Sequence, residues 1–318
     1  MCGITACGAY AQTRADVSPP YPSKPIHIVV GFPPGGNSDF VARAVARGLV
    51  ELWGQQVIVD NRPGAGGNIA AEMVAKAPAD GHTLLLGVFA HAVNPSLYGG
   101  KLPFDALKDF TPVILCASSA NILVVHPSLP VKSVKELIAL AKAKPGAITY
   151  ASAGNGTASH LAGELLKLQA GINIVHVPYR GTGLAHTDLM GGRVTMFFAA
   201  MAGTLQSVQS GRLRALAVTT LKRWPGATNV PTMVEAGVPG FEVNSWSGLL
   251  APAGTPKVIV ERLGIEVARI LRSPDTRERL YSFGAEPIDN TPEEFAAYIN
   301  SEFIKWSRVV KSSGLRAD

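Results

Sequence analysis

PIHIVVGFPPGGNSDFVARAVARGLVELWG, Pro25–Gly54, is where the chain declares its architecture. Ile26–Phe32 is apolar apart from His27, the composition of a strand buried on both faces. From Ser38 to Trp53 the period changes. Phe40, Val41, Ala44, Val45, Leu49 and Leu52 fall on one helical face, and Gly54 supplies the stop. Gly31-Phe32-Pro33-Pro34-Gly35-Gly36-Asn37-Ser38 joins the two as a glycine-rich turn. Strand, glycine turn and helix make one α/β unit.

The same alternation continues along the chain. Val57–Asp60 reads as a strand, Asn68–Ala77 as a helix and Thr83–Val88 as a strand. Helices are expected at Ser133–Ala143, Ala158–Ala170 and Gly183–Met190, with strands at Ile148–Ala151, Ile172–Val177, Val194–Phe198 and Ala215–Thr219. Lys257–Leu271 and Pro292–Val310 read as two longer helices. No flexible Gly/Ser linker divides this, so two lobes joined by extended crossings are expected, near Ser118–Ile122 and Thr219–Lys222. One lobe then comprises residues 23–120 plus 221–318 and the other 121–220, with a cleft between them.

Composition narrows the functional classes. Of 318 residues, 47% are hydrophobic and 16% charged, enough apolar material for cores and too little charge for a disordered chain. No apolar run reaches the roughly 18 residues of a membrane span. The net charge of +6 is spread over helices and loops without a basic stripe or a nucleic-acid module, so nucleic acid is not an expected partner. A mildly cationic surface suits an acidic ligand.

Four strand-to-helix turns carry the chemistry. The second is Asn61-Arg62-Pro63-Gly64-Ala65-Gly66-Gly67-Asn68, the third Ala153-Gly154-Asn155-Gly156-Thr157, and the fourth Tyr179-Arg180-Gly181-Thr182-Gly183. Glycine admits tight turns and close ligand approach, and the first amides of each helix lack intrahelical partners. The helix dipole adds positive charge there, so a carboxylate can be held without lysine or arginine. One such turn alone is usually only a turn; four together favour an anion-binding cleft. The second has the weakest claim, since its DNRPG segment also suits an exposed connection.

Other chemistries find no support. Neither a dinucleotide fingerprint, a phosphate loop nor a G-x-S-x-G elbow occurs. Ser159 and His160 are sequence neighbours on one helix, which aims their side chains apart. His91, His160, His176 and His186 lack metal-ligand spacing, and each reads as a polar core or surface residue. Cys116 reads as a buried thiol. No catalytic residue, metal or cofactor is expected. Residues 1–22 read as a processing remnant: Ala9-Tyr10-Ala11 before Gln12 fits a signal-peptidase site, and Ile4-Thr5-Ala6-Cys7 resembles a lipoprotein box that would lipidate Cys7. The upstream apolar segment that either signal needs is missing, and the simple signal is the preferred reading.

Taken in order, these motifs resemble the substrate-binding proteins of tripartite tricarboxylate transporters, the Bug family. The resemblance spans Tyr21–Gly314 and rests on YPSKPIHIVVGFPPGG (Tyr21–Gly36), DNRPGAGGNIAAE (Asp60–Glu72) and ADGHTLLLG (Ala79–Gly87). YASAGNGTASHLAGE (Tyr150–Glu164), HVPYRGTG (His176–Gly183) and SWSGLLAPAGTP (Ser245–Pro256) extend it. It implies a periplasmic-binding-protein fold of the second type, closing on organic acids through backbone amides. Carried onto this chain, one lobe offers Phe32, Pro33, Pro34, Gly35, Gly36, Asn37 and Ser38, and the other Ala153, Gly154, Asn155, Thr157 and Ser159. Phe89, Ala90, His91, Tyr179, Ala199 and Trp246 would form the walls.

Two departures point to the ligand. Ala199-Ala200 stand where the family often has Asp-Asn, and Val88-Phe89-Ala90 is bulkier than the usual hydroxylated wall. Both make the cleft more apolar, so an acid with an aromatic or aliphatic body is expected in preference to an amino acid. The expected partners are the membrane subunits of such a transporter, with the receptor a periplasmic monomer and not an enzyme. The alternative is a ligand-loaded sensor that presents its closed form to a signalling receptor.

Overall fold

The computed structural model describes residues 21–317. The processing sites and Cys7 lie outside the described residues. β1 (Ile26–Val30), β2 (Val57–Asn61) and β3 (Thr83–Val88) are parallel and lead into α1 (Asn37–Trp53), α2 (Asn68–Ala75) and α3 (Phe89–Leu97). In the second lobe β5 (Thr149–Ser152), β6 (Val175–Pro178) and β7 (Met196–Ala200) are likewise parallel. They lead into α5 (Ala158–Ala170), α6 (Thr182–Met190) and α7 (Met201–Gln209), while α4 (Val134–Ala143) precedes β5. The strand order β2-β1-β3-β9-β4-β7-β5-β6 joins both lobes through two antiparallel strands.

Those two strands are β4 (Phe110–Val125) and β9 (Asn244–Pro252). β4 pairs with β9 over Phe110–Ala120, then from Asn121 onward with β7 and with β8 (Arg214–Val218). One sixteen-residue strand therefore serves both sheets. At the crossing the Thr219 hydroxyl accepts the Asn121 amide hydrogen, the Thr219 amide donates to the Asn121 carbonyl, and the Val243 amide donates to the Thr219 carbonyl.

The return to the first lobe differs from the expectation. Residues 221–243 were assigned to the first lobe, but Met233 N–H donates to Val218 O and Val218 N–H to Pro231 O. Trp224, Ala227 and Val230 pack into the second lobe's cluster with Phe197 and Val218. The chain re-enters the first sheet at Asn244. Polar, proline-punctuated sequence after Thr219 looked like an exit; its buried tryptophan and alternate apolar residues hold it against β8 instead.

Several elements were absent from the sequence expectation. α3 follows β3 without a turn, and α7 does the same after β7. β9, α9 (Pro274–Ser282) and β10 (Ala285–Pro287) complete the first lobe, with α8 (Lys257–Arg272) and α10 (Pro292–Ser313). Helix α1 buries Val41, Val45 and Leu49 against Ile26, Ile28 and Leu84 on one side and Leu263 and Val267 of α8 on the other. Each such side chain contributes about 1.5–3 kcal/mol on burial. Leu52, expected on that face, is 37% exposed, because the helix is rotated toward Ala42 and Ala46. A separate core runs unbroken across both lobes, from Val29, Phe89 and Val93 through Trp306 and Val310 to Tyr150 and Leu161. Cys116 lies fully buried, and burial pushes its thiol up to about 12.

Candidate ligand-binding site

Strand register decides where the glycine turns lie. β3 ends at Val88 opposite Ser247, near the start of β9, and β1 and β2 run parallel to β3. Their C-terminal ends therefore point at the crossing. In the second sheet β7 ends at Ala200 opposite Asn121, where β4 enters that sheet, and β5 and β6 run parallel to β7. Their C-terminal ends point at the crossing from the other side. All four glycine turns, and the β3–α3 and β7–α7 junctions, thus occupy facing edges of the two sheets. Ligands of open α/β sheets bind at such carboxyl ends.

The first turn is built from an acid turned inward. Asp39, 4% exposed, accepts the Gly35 amide hydrogen at 3.0 Å and bonds from Arg43 at 2.9 Å and Asn61 at 3.0 Å. Burial would raise the Asp39 carboxyl, but bonds from Arg43, Gly35 and Asn61 outweigh it and hold it below the usual range. Asn61 also donates to Phe32 O, tying the end of β2 to the turn. Pro33, Pro34, Gly35, Gly36 and Asn37 are exposed on the facing edge, with Phe32 and Ser38 half-buried. The amides of Asn37, Ser38 and Asp39 have no partner among the described residues, and Gly36 provides no side-chain cap.

Residues 62–66 of the second turn are exposed, as its sequence allowed, while Gly67 is half-buried and Asn68 buried where the turn meets the first turn and α3. A Cβ on Gly31 would lie 2.7 Å from Gly67 Cα, so glycine is required for the first two turns to touch. Asn94 of α3 donates to Gly66 O at 3.0 Å and to Asn68 Oδ1 at 2.8 Å. Gly66, Gly67 and Asn68 of the second turn, given the weakest claim from sequence, and Asn94, which the sequence expectation did not include, line the cavities at this edge. The pairing of β1 with β2 was the signal, because it makes their turns neighbours.

The third turn spends much of its own hydrogen-bonding capacity. Ala153 N–H donates to Ser159 Oγ at 3.0 Å, Gly154 N–H to Ser152 Oγ at 3.1 Å, and Gly156 N–H to His160 Nδ1 at 3.1 Å. The Thr157 hydroxyl donates to Gly154 O at 2.7 Å. Contrary to expectation, the amides of Ala153 and Gly154 are already engaged. Those of Asn155, Ala158, Ser159 and His160 have no partner among the described residues. Gly154 holds φ +133°, a conformation closed to other residues at low cost.

The expected walls divide. Ala90 is half-buried at the edge, and His91, 7% exposed, reaches a small cavity under the first two turns while its Nε2 bonds Ala106 O at 2.9 Å. Tyr179 donates its hydroxyl to Asp188 at 2.9 Å, and its ring packs on the second lobe's cluster. Phe89, Ala199 and Trp246 belong to cores: Phe89 packs edge-on to Trp306, Ala199 is fully buried, and Trp246 is 1% exposed. The Trp246 indole donates to Glu302 of α10 at 3.3 Å. Strand alternation turns Ala199 inward, leaving Ala200 at the edge, half-buried.

A cavity of about 250 Å³ opens between the lobes, lined by Gly66, Asn94, Asn155, Gly156 and Arg316 among others. His160 and His176 form its floor on the second lobe. Among the described residues, no carboxylate lines this cavity or the smaller one beside it. Among the described residues, no cluster of metal-ligating side chains exists, and no helix is long and apolar enough to cross a membrane.

Comparison with known proteins agrees with this geometry. Residues 41–315 match the model of the tripartite tricarboxylate transporter family receptor. Protein BugT of Bordetella pertussis is 38% identical, over 98% of this chain and 95% of its own. The structure of Rhodopseudomonas palustris MatC (Rpa3494) with bound malate is 33% identical, with a TM-score of 0.76 over 91% of this chain and 100% of that one. That of R. palustris Rpa4515 with adipate is 40% identical, with a TM-score of 0.80 over 93% of this chain and 99% of that one. The chain belongs to the tripartite tricarboxylate transporter receptor family, the solute-binding proteins to which the Bug proteins also belong.

Proposed function

We propose that this protein captures a small organic carboxylate in the periplasm and presents it to the membrane subunits of a tripartite tricarboxylate-type transporter, without turning it over. One observation carries the reading. Two helix starts, α1 and α5, hold unpartnered amides on the facing edges of two sheets joined by β4 and β9. A carboxylate accepting from Asn37 and Ser38 on one side and from Ala158 and Ser159 on the other bridges the lobes. The ligand favours the closed form by the affinity difference between closed and open states. The malate- and adipate-bound relatives support a small carboxylate as the ligand class.

The ligand body is aliphatic or aromatic. Among the described residues no acid lines either cavity at the facing edges, so an ammonium group would lose its hydration there without a counter-charge from them. Ala200 at the end of β7 and Val88 at the end of β3 add apolar surface there. Isothermal calorimetry with adipate, malate, benzoate and aspartate tests the reading. Binding of at least one of the first three, with aspartate weakest, is expected. Binding of aspartate alone would overturn the apolar-body reading, and no binding by any of the four would overturn carboxylate capture.

A further inference from the structure

The third turn is held from beneath by two stacked imidazoles that the binding scheme does not use. His160 and His176 lie 3.9 Å apart between ring centroids and 8° from parallel, with Tyr150 stacked on His176 at 4.9 Å. His160 Nδ1 accepts the Gly156 amide hydrogen at 3.1 Å. A backbone N–H can only donate, so this nitrogen carries no proton and His160 is the Nε2–H tautomer. Ser152 Oγ accepts the Gly154 amide hydrogen and lies 2.7 Å from His176 Nε2. The Ser152 hydroxyl also reaches the Gly154 carbonyl at 3.3 Å, and its oxygen keeps a second lone pair, so Ser152 holds His176 Nε2 either as donor or as acceptor.

We propose that His160 and His176 are positioning residues, a stacked pair of neutral imidazoles that fix the amides of the third turn for carboxylate binding. The inference rests on the proposed binding role of that turn. Each ring ends on one of the turn's glycines, His160 directly and His176 through Ser152, and these flank Asn155, whose amide has no partner among the described residues. Rings stacked this closely cannot both become cations cheaply. Burial pushes His160 down to about 4, helped by His176, and pushes His176 down as well. The charged and titratable groups around the pair are Glu164 and Lys167 of α5, Tyr150 of β5, Tyr98 of α3 and Arg316 beyond α10. Glu164 is engaged by Lys167 at 2.9 Å and by the Tyr150 hydroxyl at 2.6 Å, so it is not hydrogen-bonded to either imidazole.

Asparagine can place Oδ1 near the position of Nδ1, and glutamine can place its amide oxygen or nitrogen near that of Nε2, without a titrating ring. H160N and H176Q therefore keep the hydrogen bonds, whereas H160F and H176F remove them. In the full chain, with adipate as probe at pH 7.5, H160F and H176F should each weaken binding about three- to tenfold, the worth of one hydrogen bond. H160N and H176Q should stay within about twofold of the wild type. Nitrogen-15 NMR of the imidazoles should show both rings neutral, with His160 protonated on Nε2, and amide exchange at Gly156 should speed up in H160F and not in H160N. A proton on His160 Nδ1, an imidazolium at pH 7.5, or equal Gly156 exchange in H160F and wild type would overturn the proposal. Equal affinity losses in the Phe and bond-keeping variants would overturn it too. The NMR and exchange readouts need no ligand, so failure of adipate to bind would count against the functional reading alone.

Discussion

The Asp39 carboxylate accepts the Gly35 amide hydrogen at 3.0 Å, placing a negative charge inside the first turn, at the edge of its sheet that faces the other lobe. Its charge is balanced by Arg43 and shared with Asn61, so the turn keeps its shape without presenting the acid to the cleft.

Asp39→Ala should therefore cost about 2 kcal/mol of stability, the range for hydrogen bonds to a charged group. It should also weaken carboxylate binding, because the turn loses its internal brace. Asp39→Asn should lie between, keeping the bond to Gly35. The lowered carboxyl stabilises the fold above its unfolded pKa, and this is lost as pH falls through the folded value. Urea unfolding at pH 7 and pH 3 checks both points; an alanine variant as stable as wild type would remove the brace.

Gly36 and Gly154 separate sterics from backbone strain. Gly36 has φ −85°, and a Cβ there would meet only Pro33 O at 3.9 Å, so Gly36→Ala should fold normally. A fall in acid affinity in that variant, read by calorimetry, reports ligand approach alone. Gly154→Ala must adopt φ +133°, which costs about 1–3 kcal/mol, and its thermal midpoint should drop along with its affinity.

His91 gives a pH signature unrelated to ligand. Buried beside Phe104 and Phe110, it is held down to about 4 by desolvation, against about 6.5 in the unfolded chain. A depressed value means its contribution is complete above pH 6.5 and is lost as pH falls toward 4, to the order of 3 kcal/mol. His91→Gln keeps a donor for Ala106 O and removes the titration. Its unfolding free energy should fall less steeply between pH 7 and pH 4.5 than that of wild type; parallel curves would exclude His91 as a source of acid sensitivity.

Glu302 is 2% exposed and accepts the indole hydrogens of Trp246 at 3.3 Å and Trp306 at 2.9 Å, with Lys305 as its ion partner. It fastens α10 to β9, the partner of β4, which is the strand that spans both sheets. Glu302→Leu strands two buried N–H groups and should destabilise by about 3 kcal/mol. Fluorescence-monitored denaturation would show it, with both tryptophans reporting; a change under about 0.5 kcal/mol would mean that α10 is held by packing alone.

Much of the second lobe and the glycine turns was legible because periodicity and turn chemistry are local. Thr83–Val88 and Ala158–Ala170 coincide with the observed elements, and the turns at Gly35–Gly36 and Gly154–Gly156 were recognisable from residue type. α3 and α7 escaped because each begins directly at a strand end, without glycine or a capping side chain to announce it. Trp246, Phe89 and Ala199 are the walls that the family resemblance implies, yet pleat and helix packing turn them into cores.

By itself the sequence determined the α/β alternation, the family, and the supply of glycine-bordered helix starts. Only the tertiary structure decided that β4 runs through both sheets, that residues 221–243 stay with the second lobe, and which amides remain for a ligand. The physical reason is the range of the interactions. Strand and helix patterns, and the bonds that Asp39, Ser159 and His160 make to their own turns, follow from neighbours a few residues apart, whereas Asn61 reaches Phe32 O and Asn94 reaches Gly66 O from distant parts of the chain, as β4 reaches β7 and β9.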